Sequence, residues 1–252
     1  MTKTVDQEPD RFVLPDAANA MHGWRAGTPL RISFLGFNPL GGGYDGRGLI
    51  DAGADRTFTS LDTLGAARLV RQYFDLDGDG RASAADRPPF DLRVTGYSYG
   101  GWSALQLLHT LGPLGRSIQV RIGLVDPVCT FRSLATRVVG RVPLPPVAAP
   151  VLRRFGIDPA RLAVPSAPCG PASGGRVPTV TFAKNVFQTK GLIVRWNGNG
   201  PRMPMHPKWF ASQPLPGFDN VDVSGEVSEA GGHVEVADKY ARAVAEETFG
   251  GG

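Results

Sequence analysis

The sequence predicts an α/β domain, a mostly parallel central sheet flanked by helices. Three observations carry this. Residues 93–96 are a short strand-like run that passes through a glycine-rich turn into an apolar helical run over 102–111. Residues 118–125 form a second strand-like run and stop at Asp126-Pro127. Near the C-terminus a strand pattern over 221–227 leads through glycines to a helical pattern over 237–247. Strands alternating with helical segments imply crossover connections and hence parallel pairing.

Composition sets the outer limits. A chain of 252 residues, 42% hydrophobic and 20% charged, suits a globular protein, and one large α/β domain of that size is common. Residues 1–28 read as an irregular arm and 29–252 as a single domain. No run of about 18 apolar residues is present, so no transmembrane segment is expected. The first ten residues are polar and partly acidic, unlike a signal peptide. The compartment stays open between the cytoplasm and export without a recognisable leader. Net charge is +4 and the sequence pI about 9.3. The positive charge forms no stripe, so it reads as solvated surface and no nucleic-acid partner is expected.

The first strand is residues 31–35, followed by a loop with Gly36-Phe37 and then Gly41-Gly42-Gly43. Residues 41–46 also spell G-x-G-x-x-G. A dinucleotide site is not expected from them, because residues 44–48 do not look able to open the helix that would hold a pyrophosphate. A glycine-rich loop there instead lets backbone approach a substrate carbonyl. Residues 60–74 have a helical period, Leu61, Leu64, Ala67, Val70 and Phe74, with Ser60 as the expected N-cap.

The next segment, 75–86, sets Asp75, Asp77, Asp79 and Asp86 at positions 1, 3, 5 and 12 of an EF-hand-like loop. Gly80 falls at position 6, and Arg81 at 7 would supply its carbonyl. A hard cation needs such a ring of oxygens, and close carboxylates repel without one. The segment resembles EF-hand loops and, more closely, those of dockerins. It departs from them at Ala82, in the Pro88-Pro89 that stops an exiting helix, and in having no second copy. The expectation is a structural Ca2+ site on Asp75, Asp77, Asp79, Arg81 and Asp86, not a calcium sensor.

Gly96-Tyr97-Ser98-Tyr99-Gly100 is G-x-S-x-G between strand and helix, the nucleophile-elbow pattern. The spacing matters because the serine must stand on a sharp turn, where strand and helix approach so closely that only small residues fit two positions either side. Asp126 ends the following strand, where a carboxylate faces the ligand-binding edge of an open sheet. His233 sits in Ala230-Gly231-Gly232-His233, after the final strand. His109 lies too far along its helix to reach Ser98 and reads as packing. His22 reads as surface, and His206, in an aromatic loop with Trp209 and Phe210, is a weaker rival base.

These motifs resemble the α/β-hydrolase superfamily over residues 30–250. The strand-end Leu124-Val125-Asp126-Pro127 looks like that of its lipase-type members, in which the acid follows the strand after the elbow. The resemblance implies a serine hydrolase of lipase or esterase character: Ser98 as nucleophile, His233 as base, Asp126 as acid, and the N–H groups of Tyr99 and Phe37 as oxyanion hole. It implies a small-molecule ester or lipid substrate and no organic cofactor. Asp219 and Asp222 are the fallback acids if the partner comes later. Thioesterase or acyltransferase chemistry at the same site stays open, as does a non-catalytic calcium-binding scaffold with this fold. Residues 127–176 read as an inserted cap or lid. The proline-rich stretch 141–150 cannot join a sheet, and seven arginines there face the single acid Asp158. Cys129 and Cys169 bracket the insertion and could pair across it.

Overall fold

The structure is a computed structural model, described over residues 28–38, 43–60, 62–83, 86, 90–128, 179–190, 192–195, 202–205, 212–229 and 231–250. The elements in chain order are β1 (Leu30–Asn38), β2 (Gly43–Asp45), α1 (Arg47–Asp51), β3 (Arg56–Thr59), α2 (Thr63–Phe74), β4 (Asp91–Tyr97), α3 (Tyr99–Thr110), β5 (Gln119–Val125), β6 (Thr179–Phe187), β7 (Leu192–Arg195), β8 (Arg202–Met205), β9 (Asp219–Asp222) and α4 (Gly232–Phe249). Short 3-10 turns follow α3 and β9. Six strands lie parallel in the order β3-β1-β4-β5-β6-β9. β2 pairs antiparallel with the end of β1, and β7 and β8 form a separate antiparallel pair.

Period-2 alternation along the central strands builds two cores. Ile32 and Phe34, Leu92 and Val94, and Val120, Ile122 and Leu124 point to the face covered by α2 and α3, where Val70, Phe74, Trp102 and Leu105 join them. Tyr97, Val125 and Val186 face the other way and pack with Leu49 of α1 and Val236, Ala241 and Val244 of α4. Near-continuous apolar strands covered on both faces are what a parallel sheet requires. The polar pair Ser33 and Thr95, fully buried in neighbouring strands, is satisfied by a mutual hydrogen bond of 2.9 Å. Ser33 Oγ also donates to the Leu49 carbonyl.

Several expected boundaries shift, for local reasons. β1 runs on to Asn38 and turns back as β2, so Gly36 and Phe37 lie in a strand end, not a loop. Backbone pairing asks nothing of a side chain, and a glycine there does not oppose it. Residues 47–51 do form a helix, contrary to expectation, with Gly46 at φ 112° before it. That helix has five residues, and Gly43 is committed to the β1–β2 pairing, so the glycines do not form a strand-to-helix phosphate turn. α2 begins at Thr63, capped by Asp62, whose carboxylate accepts from the Gly65 N–H; Ser60 is buried before it and does not cap. α3 begins directly after Ser98, three residues before the apolar run. β6 continues to Phe187, and β7 leaves the main sheet altogether. β9 ends at Asp222, and α4 starts at Gly232, so His233 is in the first turn of a helix and not on a loop.

The arm over 1–27, the lid expected over 127–176 from residue 129 onward, and the cysteines at its ends lie outside the described residues. β5 and β6 are nevertheless adjacent and parallel, so the long connection leaves and re-enters the sheet at neighbouring strands. Among the described residues no helix is long and apolar enough to cross a membrane.

Gly123 of β5 is where α4 comes nearest the sheet: a Cβ there would collide with Thr248 Oγ1 and lie 2.8 Å from Val244 Cγ1. Gly123→Ala is therefore expected to destabilise the fold by about 1–3 kcal/mol through overpacking, read as a lower urea midpoint at unchanged m-value.

Candidate active site

The turn after β4 is held in a conformation that its neighbours leave no room to relax. Ser98 has φ 55° and ψ −124°, a region that L-residues avoid, at a cost of order 1–3 kcal/mol. Its N–H donates to the Val125 carbonyl at 3.1 Å, and its carbonyl accepts from Gly101 and Val128 N–H groups, each at 3.0 Å. The flanking glycines are required by contact. A Cβ on Gly96 would strike the Gly100 carbonyl, one on Gly100 would strike the Phe34 carbonyl, and one on Gly101 would lie 2.7 Å from Pro127 Cβ. Gly36 completes the set, since a Cβ there would come within 2.8 Å of Ser98 Cβ. The end of β1 is thus pressed against the serine.

Asp126 follows the last residue of β5 and is also strained, at φ 46°. Its N–H donates to the Val186 carbonyl at 2.7 Å, and its carboxylate is fully buried. The imidazole of His233 lies between acid and serine. Nδ1 is 2.5 Å from Asp126 Oδ2, and Nε2 is 2.8 Å from Ser98 Oγ. All three residues are at most 4% exposed. Residues separated by 135 positions in the chain therefore form one hydrogen-bonded line.

Three supports went unread in the sequence. Gln188, just past β6, donates to Asp126 twice: its N–H to Oδ1 at 3.2 Å and its Nε2 to Oδ2 at 2.9 Å. Tyr97 stacks on the imidazole with ring centroids 5.0 Å apart, and its hydroxyl donates to the His233 carbonyl at 2.9 Å. Glu235 reaches back to Ser228, accepting from its N–H at 2.9 Å and from its hydroxyl, so the turn that delivers His233 is braced from within. These hydrogen bonds hold the Glu235 carboxyl below the usual range. The signal for Gln188 was available: extending the strand at 177–183 through Val186-Phe187 leaves a polar residue at a strand end, as at Asp126.

Of the other candidates, Tyr99 opens α3, where helix geometry leaves N–H groups without intrahelical acceptors. Phe37 pairs with Tyr44 across the β1–β2 ladder, one residue beyond the glycine that touches Ser98. Asp219 and Asp222 lie on β9, where Asp222 accepts from the Ser224 N–H and hydroxyl; the carboxylate on His233 is that of Asp126. His109 lies in the last turn of α3, and burial pushes its pKa down. His22 and His206 lie outside the described residues.

The acidic segment gathers three of its four carboxylates. Oxygens of Asp75, Asp77 and Asp86 come within 4.8 Å of one another. Asp79 is not in that group; its carboxylate accepts from the Arg81 N–H at 2.7 Å. Gly78 and Gly80 both take φ 76°, the turn that position 6 demands. Asp75 accepts from Gly80 N–H through Oδ2, while its Oδ1 is buried with no hydrogen-bond partner among the described residues. Asp86, also buried, accepts from the Leu76 and Ser83 N–H groups at 2.7 Å each. These bonds, led by that from Ser83, lower its pKa from the usual 3.8.

A depressed carboxylate pKa stabilises the fold above the unfolded-state value, and the gain is lost as pH falls through the folded-state value. Asp86→Asn is thus expected to be less stable than the wild type at pH 7, with the gap in urea midpoints narrowing as pH drops below about 3.8. A gap independent of pH would show that Asp86 is not held as a carboxylate.

No family model matches this chain and no curated protein matches it.

Proposed function

We propose that the protein is a serine hydrolase acting on carboxylic esters, with an α/β-hydrolase fold. The single observation that carries this is the buried line Ser98 Oγ, His233 Nε2, His233 Nδ1, Asp126 Oδ2, with both links at hydrogen-bond distance. The strained backbone at Ser98 and the parallel strand order support the same reading.

In this mechanism His233 Nε2 takes the Ser98 proton as Oγ attacks the ester carbonyl carbon. Asp126 holds Nδ1–H and so fixes the tautomer that leaves Nε2 able to accept. Charge that develops on the carbonyl oxygen is met by backbone N–H groups of Tyr99 and Phe37. The imidazolium then returns its proton to the departing alkoxide, leaving an acyl-serine. Water, deprotonated by the same imidazole, attacks the acyl carbon; the acyl–Oγ bond breaks, the imidazolium returns its proton to Ser98 Oγ, and the acid is released. Thioester or acyl-transfer chemistry would use the same groups with another leaving group or acceptor.

A fluorophosphonate probe is expected to modify the wild type at Ser98, and Ser98→Ala to abolish both labelling and hydrolysis of a p-nitrophenyl ester series. Asp126→Asn should lower the labelling rate by orders of magnitude, since it inverts the imidazole tautomer, whereas Asp222→Asn should stay within about twofold. An unlabelled wild type would leave a scaffold reading in its place.

A structural calcium site on the acidic segment is the second proposal, favoured by the buried Asp75 oxygen that has no partner among the described residues and lies beside Asp77 and Asp86. Asp75, Asp77 and Asp86 would hold the ion with the Arg81 carbonyl, and Asp79 would need to turn toward it. The ion would brace the connection ahead of β4 and take no part in the chemistry. Calcium is expected to raise the thermal midpoint over that in chelator, and identical midpoints would remove the site.

A further inference from the structure

We infer that Gln188 is a positioning residue for Asp126, the donor that decides which carboxylate oxygen faces His233; this rests on the hydrolase reading above. Asp126 is fully buried, so each of its oxygens needs a donor. The structure supplies them from two residues only among those described. Oδ2 accepts from His233 Nδ1 and Gln188 Nε2, and Oδ1 accepts from the Gln188 N–H. One residue therefore grips both oxygens and leaves one direction open for the imidazole.

The grip is rigid because Gln188 is itself fixed. It is fully buried, and its carbonyl accepts from the Ser212 N–H at 2.9 Å. Its side-chain amide packs beside Gly232, where a Cβ would come within 3.2 Å of Oε1. Gly232 precedes His233 in the first turn of α4, so the same amide abuts the chain segments of both acid and base. An amide suits this place chemically. It donates as a neutral group and carries no proton that the reaction can remove, so Asp126 stays an acceptor for His233 throughout. The titratable groups at this unit include Asp126, His233 and Tyr97, whose ring stacks on the imidazole and whose hydroxyl donates to the His233 carbonyl; Lys190, two residues on, pairs with Glu229.

The test compares wild type, Gln188→Met and Gln188→Glu by ester kinetics, probe labelling and melting. Methionine keeps the volume and removes the donor. Gln188→Met is expected to lower kcat about tenfold or more with KM within about twofold. In Gln188→Glu a neutral carboxyl can donate in place of the amide, whereas an ionised one repels Asp126. The ratio of its kcat/KM to that of the wild type should therefore fall as pH rises, a change that loss of packing alone would not produce. A labelled wild type with both variants at wild-type kcat, or a Gln188→Glu ratio flat with pH, overturns the inference and leaves the hydrolase reading standing. A wild type that neither labels nor turns over ester overturns both.

Discussion

A serine held at positive φ between a strand and a helix is the constraint on which this structure turns. The conformation is unfavourable for any L-residue and persists because everything around it is already committed. The Ser98 N–H is tied to β5, its carbonyl is tied to the start of α3 and to Val128, and glycines at 36, 96, 100 and 101 admit the backbone of three other segments. Release of the strain would need β4, α3 and the end of β1 to move apart, which means dismantling the larger core. The hydroxyl is presented by the fold as a whole.

The second strained residue, Asp126, brings a carboxylate into the interior, and the compensation there is hydrogen bonding in place of charge. Its donors are an amide, a backbone N–H and an imidazole. Such an arrangement keeps a polar chain inside an otherwise apolar face formed by Val125, Val186 and Val236. Tyr97 serves both needs, with a ring packed on the imidazole and a hydroxyl on its backbone. Burial of this unit gives each hydrogen bond a low-dielectric setting, which strengthens satisfied bonds and makes lost ones costly.

How much of this was legible in the sequence follows from how local each signal is. Gly96-x-Ser98-x-Gly100 could be read because the steric demand lies within five residues, and Asp126 and His233 because strand ends and glycine turns mark themselves. The end of β1 was misread because its glycines look like a loop, while the pairing of Gly36 with Asp45 depends on a strand that returns later. β3 and α1 are short and carry no periodic signature. Gln188 was marked only as a polar residue at a strand end; its role comes from β6 lying beside β5, which no local pattern reports. The acidic segment showed its spacing plainly, yet spacing did not tell that Asp79 turns to the Arg81 N–H and away from the other three.

The strand register has a consequence for the breadth of the site. Phe34 stands level with Gly96, Tyr97 with Val125, and Val125 with Val186. Continued one or two residues, these registers set Gly36, Ser98 and Asp126 in one row across β1, β4 and β5, with Gln188 one residue past that row beyond β6, at intervals set by the roughly 4.8 Å pitch of a sheet. The ruler that spaces Ser98 from Asp126 is the hydrogen-bonded backbone, indifferent to side-chain identity.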